Sequence, residues 1–140
     1  MPRADFYLID KPIYREDPLL LVCKLAQHAW SAQQPTLILV RDFAQAEALD
    51  AALWAFDEDA FIPHQICGDD DDASTAVLIV PPGEHTPDRP LVINLRDTVP
   101  PGHFERVLEV VAADPGARDG SRERWRAYQQ KGFALDKHDM

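Results

Sequence analysis

The amino-acid sequence predicts an α/β fold in three layers, a mostly parallel sheet with helices on both faces. Two observations carry that expectation. Four short apolar runs recur along the chain: Ala4–Ile9 (ADFYLI), Thr36–Val40 (TLILV), Ala76–Val80 (AVLIV) and Leu91–Leu95 (LVINL). Unbroken runs of this length suit strands covered on both faces, as in parallel sheets. Between them lie longer stretches with apolar residues at helical spacing, and strand–helix alternation is how parallel strands are joined. The 140 residues suit one domain spanning 1–140, and an apolar fraction of 46% with three tryptophans suits a packed core.

The first run is broken by Asp10-Lys11-Pro12. Asp17-Pro18 then marks a helix start, an aspartate cap with proline in the first turn, where its missing N–H costs nothing. That helix runs to about Ser31, with Leu21, Leu25 and His28 or Ala29 on one face. Pro35 closes the connection to the second strand, and Asp42 caps the helix that follows. A weaker strand is expected around Phe61–Ile66. Gly68 and Asp69–Asp72 read as a solvated, mobile loop, because adjacent carboxylates repel one another. Pro81–Pro90 is a proline-punctuated loop before the fourth strand. Pro100-Pro101-Gly102 precedes an expected helix from about Phe104 to Ala112, with Phe104, Val107, Leu108 and Val111 inward. Asp114-Pro115-Gly116 reads as a turn, and a last helix covers about Ala117 to Lys131, stopping at Gly132. A weak edge strand at Phe133–Leu135 leads into a tail, 136–140, expected to fray.

Composition excludes several functions. With a formal net charge of −10, the chain is a poor candidate for gripping a nucleic-acid backbone, which depends on cations displacing counterions. Cys23 and Cys67 lack metal-type spacing and read as reduced, packed thiols. No signal peptide opens the chain and no apolar run approaches a membrane span, so a cytoplasmic protein is expected. The outline is Rossmann-like, yet the first strand–helix loop, DKPIYREDP, has no glycine to let backbone approach a phosphate. No serine sits in a Gly-x-Ser-x-Gly elbow and no His-Glu-x-x-His occurs. The alternating ligands of a calcium loop are absent from Asp69–Asp72, so no metal is expected there. An enzyme alternative would use His64 as a base beside one of these loop carboxylates.

Two places point to function through contact. In the helix after Asp42, Leu49, Ala52, Leu53 and Phe56 share a narrow arc at about 100° per residue, with Ala46 at its edge. Trp54 falls roughly 140° from Leu49, on the charged side with Glu47. Phe61, Ile62, Pro63 and His64 follow. Either a loop folds over Trp54, or an aromatic anchor stands at the surface for a partner or a second copy of the chain.

The last helix reverses the charge of the chain. From Arg118 to Lys131 there are five cations (Arg118, Arg122, Arg124, Arg126, Lys131) against two anions (Asp119, Glu123). Arg118, Arg122 and Trp125 recur at i, i+4 and i+7, on one face. Guanidinium groups beside an indole clamp a carboxylate and wall an apolar ring. The suited ligand is an acidic peptide ending in an aromatic residue with a free carboxylate. The alternative is that Trp125 and Tyr128 anchor the helix to the sheet and the arginines are merely solvated.

Four segments in order, FYLID, ALWAFDEDAFIPH, LVINLR and RERWRAYQQKGF, make the chain similar to the chi subunit family of bacterial DNA polymerase III. The resemblance implies a Rossmann-like fold with no catalytic site, no cofactor and no metal. It implies a replication bridge within the clamp-loader assembly. The psi subunit would bind at Trp54 and Phe61, with Pro63 and His64 adjoining. The acidic C-terminal tail of single-stranded DNA-binding protein, ending in Asp residues and Ile-Pro-Phe, would bind at Arg122 and Trp125, with Arg118 and Arg126 beside them. Family members often carry tyrosine where this chain has Trp125. Some also pair with a helicase-like repair protein through the psi surface. DNA would be touched only indirectly.

Overall fold

A computed structural model describes residues 2–56 and 61–140. The first strand, β1, covers Arg3–Leu8, followed by a single-turn helix α1 (Pro12–Glu16) and by α2 (Pro18–Ser31). Then come β2 (Thr36–Leu39), α3 (Phe43–Ala55), β3 (His64–Ile66), β4 (Val77–Val80) and β5 (Leu91–Asn94). The chain closes with β6 (Arg106–Val111), α4 (Pro115–Gln130) and β7 (Ala134–Asp139). The seven strands form one sheet in the order β3-β4-β2-β5-β6-β1-β7. Every pairing is parallel.

Side-chain alternation divides the core into two layers. Ile38, Val77, Ile79 and Ile93 pack under the apolar faces of α2 and α3, through Leu21, Val22, Leu25, Leu49 and Leu53. On the other face, Phe6, Leu37, Leu39, Leu78, Val92 and Val107 meet Tyr128 of α4, with Phe104 and Val99 of the proline-rich loops alongside. Both cysteines are free thiols, and burial pushes Cys23 up to about 11. No helix is long and apolar enough to cross a membrane among the described residues.

Local chemistry explains the boundaries. Asp42 caps α3 by accepting from Gln45 N–H at 2.7 Å. Asp114 does the same for Ala117 N–H at 2.9 Å, so Asp114-Pro115-Gly116, expected as a turn, is the start of α4. Asp17 makes no side-chain cap, and α2 starts on proline alone. Gly132, at φ +82°, ends α4 as its sequence position suggests.

Two expectations are corrected. Phe104–Ala112 is not a helix: Arg106–Val111 is the strand β6, between β5 and β1. Phe104, Val107, Leu108 and Val111 fit helical spacing, but the segment is rich in β-branched valine. Val107 and Val111 face α4 while Leu108 faces the α2 side. The chain beyond Asp136 is not frayed. Phe133 packs 5.1 Å from Tyr128 and 5.8 Å from Phe104, ring centre to ring centre, which returns the chain to the sheet. Residues 134–139 then pair with β1, and Met140 N–H donates to Leu8 O at 2.8 Å.

The Asp69–Asp72 loop is also more tied down than its charge suggests. The Asp72 carboxylate accepts from Gln65 Nε2 at 2.7 Å and from Gly68 N–H at 2.8 Å. Arg89 closes the same corner by donating to the carbonyls of Thr36, Asp72, Thr75 and Ala76.

Candidate functional site

The helix wheel of α3 is realised in space. Ala46, Leu49 and Leu53 are buried, while Trp54 is 58% exposed and Phe61 65% exposed. Their ring centres lie 5.8 Å apart at 57°, a tilted pair that makes one continuous apolar surface. His64 lies beneath it. Its ring centre is 4.9 Å from that of Trp54, and its side chain is 1% exposed. Because Ile62 O can only accept, the 2.7 Å contact makes His64 Nδ1 the donor. Nε2 lies 3.3 Å from Asp50 Oδ1, but without hydrogen-bond geometry. Pro63 fixes the base of the patch, its carbonyl accepting from Val77 N–H at 3.1 Å.

The structure therefore separates the four residues expected here. Trp54 and Phe61 present the surface, whereas His64 buttresses Trp54 from within and Pro63 is half-buried. Residues 57–60 of the ALWAFDEDAFIPH segment lie outside the described residues. His64 is not aimed at the aspartate loop: among the described residues its near carboxylate is Asp50, and Asp72 is engaged by Gln65 and Gly68. This geometry does not assemble the base–carboxylate pair that the enzyme alternative requires.

The basic helix forms one wall of a groove of about 640 Å³. Phe6, Leu8, Trp125 and Leu135 give it an apolar floor, and Arg118, Arg122, Arg126 and Lys137 line it with charge. All four residues expected at this site are brought together. Trp125 is half-buried, its ring centre 5.1 Å from that of Phe6. Tyr128, fully buried, is the residue that anchors the helix. Arg122 is exposed and, among the described residues, pairs only with Asp119, at 2.9 Å, an i,i+3 surface contact of little strength. Arg118 is partly committed, donating to Ile9 O at 2.6 Å and to Ala112 O at 3.3 Å at one end of the groove.

Arg124 does not belong to this patch. It is buried, and its Nε donates to Glu109 Oε1 at 2.9 Å. Glu109 Oε2 accepts from Tyr128 OH at 2.6 Å and from Asn94 Nδ2 at 2.9 Å. Burial pushes the Glu109 carboxyl up, and Arg124 and the two hydrogen bonds oppose that rise. The network fixes the seating of α4 on the sheet, and so the position of the groove.

Lys137 and Leu135 were not expected as site residues: Leu135 was read only as the end of a weak edge strand, and Lys137 lay in a tail read as frayed, which contributes no wall. The signal was present in the alternation of ALDKHD, whose odd-numbered residues, Leu135, Lys137 and Asp139, share one face of β7. On the other face, Asp5 lies buried under Arg3, Arg106 and His138, at 2.8 to 3.1 Å. Ligand atoms of Asp5, Asp136 and His138 lie within 4.8 Å of one another. Two guanidinium groups already neutralise Asp5, which is the chemistry of an ion-pair cluster and not of a vacant metal centre.

The family pattern described as "DNA polymerase III chi subunit, HolC" matches residues 1–136. DNA polymerase III subunit chi of Pseudomonas aeruginosa is 38% identical over all of this chain and 98% of its own length. The Escherichia coli protein of the same name is 31% identical over 97% of each. Among solved structures, a chain of the S. cerevisiae Dbp5 assembly with Nup159 and Gle1 superposes with a TM-score of 0.66 over 97% of this chain, at 13% identity. This chain spans 41% of that one, and the likeness is one of α/β fold alone. On the full-length family match and these relatives, the chain belongs to the DNA polymerase III chi subunit family.

Proposed function

We propose that the protein is a non-catalytic bridge in DNA replication, holding the polymerase clamp-loader assembly to template coated with single-stranded DNA-binding protein. The exposed Trp54–Phe61 surface takes the psi subunit. The basic groove takes the acidic C-terminal tail of single-stranded DNA-binding protein, its carboxylates on Arg122, Arg126 and Arg118, its terminal phenylalanine on the floor beside Trp125. A helicase-like repair protein would compete with psi for the Trp54 surface.

The observation that carries this reading is the groove itself: exposed cations around an apolar floor, on a chain whose net charge is −10. The acidic remainder of the molecule repels nucleic acid and leaves one place where an anionic peptide is attracted. The sheet order supports simultaneous docking. The groove borders β7 at one edge, and the aromatic pair adjoins β3 at the other. Six inter-strand spacings separate these edges, which is roughly 29 Å. Tails presented in many copies on coated template make a weak single contact sufficient.

Titration calorimetry with the peptide Asp-Asp-Asp-Ile-Pro-Phe tests the groove, with its C-terminally amidated form as comparison. Binding that is lost on amidation and weakens with added salt is the expected result. Equal binding of both forms would refute carboxylate capture. For the other face, copurification from the native cell should recover psi. A symmetric dimer in sedimentation, closed through Trp54, would replace the bridge with self-association.

A further inference from the structure

Strand β7 is a sheet edge, and its register on β1 sorts its backbone groups. Ala134 N–H donates to Pro2 O at 3.0 Å, and Met140 N–H donates to Leu8 O at 2.8 Å. In a parallel ladder one residue turns both N–H and C=O to the same neighbour, and the next turns both the other way. With Arg3 opposite Ala134 and Leu8 opposite Asp139, the even-numbered residues face β1. Leu135, Lys137 and Asp139 therefore turn their N–H and C=O groups to the open edge.

Side chains alternate with the same period. His138 stacks on Tyr7 at 4.8 Å and contacts Asp5 on one face. Leu135, Lys137 and Asp139 line the groove on the other. The residues whose backbone faces the open edge thus also send their side chains to the groove, which Asp136 lines as well; in the free chain the Lys137 N–H is held, among the described residues, only by the neighbouring Asp136 carboxylate, at 2.9 Å. An open edge of this kind is a template for another extended chain.

We propose that the acidic tail docks by strand addition, its extended backbone pairing with Leu135, Lys137 and Asp139 as an eighth strand of the sheet. This rests on the tail-docking reading above and names how the tail is held. The occupant is an acidic extended peptide on two grounds. Arg118, Arg122, Arg126 and Lys137 outweigh Asp136 and Asp139 along the groove, so the charge is complementary. An extended chain places alternate side chains on the groove floor while its backbone reaches the edge. Main-chain hydrogen bonds then hold the segment before the terminal Ile-Pro-Phe, and the floor beside Trp125 selects the aromatic end.

Amide hydrogen exchange by NMR, on the wild-type chain with and without saturating Asp-Asp-Asp-Ile-Pro-Phe peptide, tests this directly. The amides of Leu135, Lys137 and Asp139 should slow by at least about tenfold, while those of Asp136 and His138 change little. If the Trp125 indole N–H shifts on titration but the three amides exchange as before, strand addition is wrong and groove docking stands. If no resonance shifts, both fall together. A second arm compares two variants that lose the same charge. Proline at 137 removes an N–H that faces outward and that in the free chain is held, among the described residues, only by the neighbouring Asp136 carboxylate, a placement edge strands tolerate. Lys137→Pro should bind the peptide about fivefold to tenfold more weakly than Lys137→Ala. Equal affinities of two folded variants would count against the pairing.

Discussion

The guanidinium of Arg124 donates to the carboxylate of Glu109 at 2.9 Å with both side chains shut away from water. The pair joins α4 to β6 under the helix that carries the groove cations. A buried pair is weak evidence for stability in itself, but breaking one side leaves an uncompensated charge. Arg124→Met should therefore cost about 3–5 kcal/mol in urea unfolding, and loosen peptide binding because α4 loses its seat. A loss below about 1 kcal/mol would mean that the network is not what positions the helix.

Arg122 offers the opposite case. It is exposed, and its only partner among the described residues is Asp119 on the same helix. Arg122→Ala should leave the unfolding midpoint within about 0.5 kcal/mol of wild type. Binding of the acidic peptide should weaken by about 1–3 kcal/mol, the range for hydrogen bonds involving charged groups. The variant should also show a shallower salt dependence of affinity. Unchanged calorimetric affinity would remove Arg122 from the site.

The contrast between these two arginines marks the limit of what was legible in the sequence. Both lie in the same charged helix, and counting cations cannot tell which one turns inward. What separates them is Glu109, which sits in a stretch read as helix. Once Arg106–Val111 is a strand, Glu109 faces α4 and claims Arg124. The four strands predicted from apolar runs were plain because each is buried on both faces. β6 carries helical spacing by coincidence, and β7 is half charged, so neither gave a clean pattern. Reading β7 only as far as Leu135 hid Lys137 as well. Trp54, by contrast, was readable because a wheel needs only its own helix, and α3 obeys it.

The aromatic surface carries its own expectation. Trp54 makes contacts with Phe61 and His64 but stands mostly in solvent, so its removal empties little core. Trp54→Ala should abolish copurification with psi while leaving peptide titration of the groove unchanged. The unfolding free energy should fall by less than about 1.5 kcal/mol, well short of the 3–5 kcal/mol typical of a buried tryptophan. Loss of both binding functions together would indicate a folding defect and would argue against two independent faces.

Asp5 gives the fold a dependence on acid. Burial on its own would raise the carboxyl, but hydrogen bonds from Arg3, His138 and Arg106 outweigh it and hold the group well below its ordinary 3.8. A carboxylate depressed in the folded state stabilises fully above its unfolded value and loses that contribution as pH falls towards the folded one. The affected window therefore begins near 3.8 and extends downward. Because Asp5 joins Arg3 and His138 across β1 and β7, the loss should be felt first at the edge strand that borders the groove. Asp5→Asn should be less stable than wild type at neutral pH, where two guanidinium groups lose their counter-charge. The two proteins should converge on acidification, as the wild-type carboxyl takes up its proton. Parallel stability curves from pH 7 down to acid unfolding would show that this cluster does not set the acid limit.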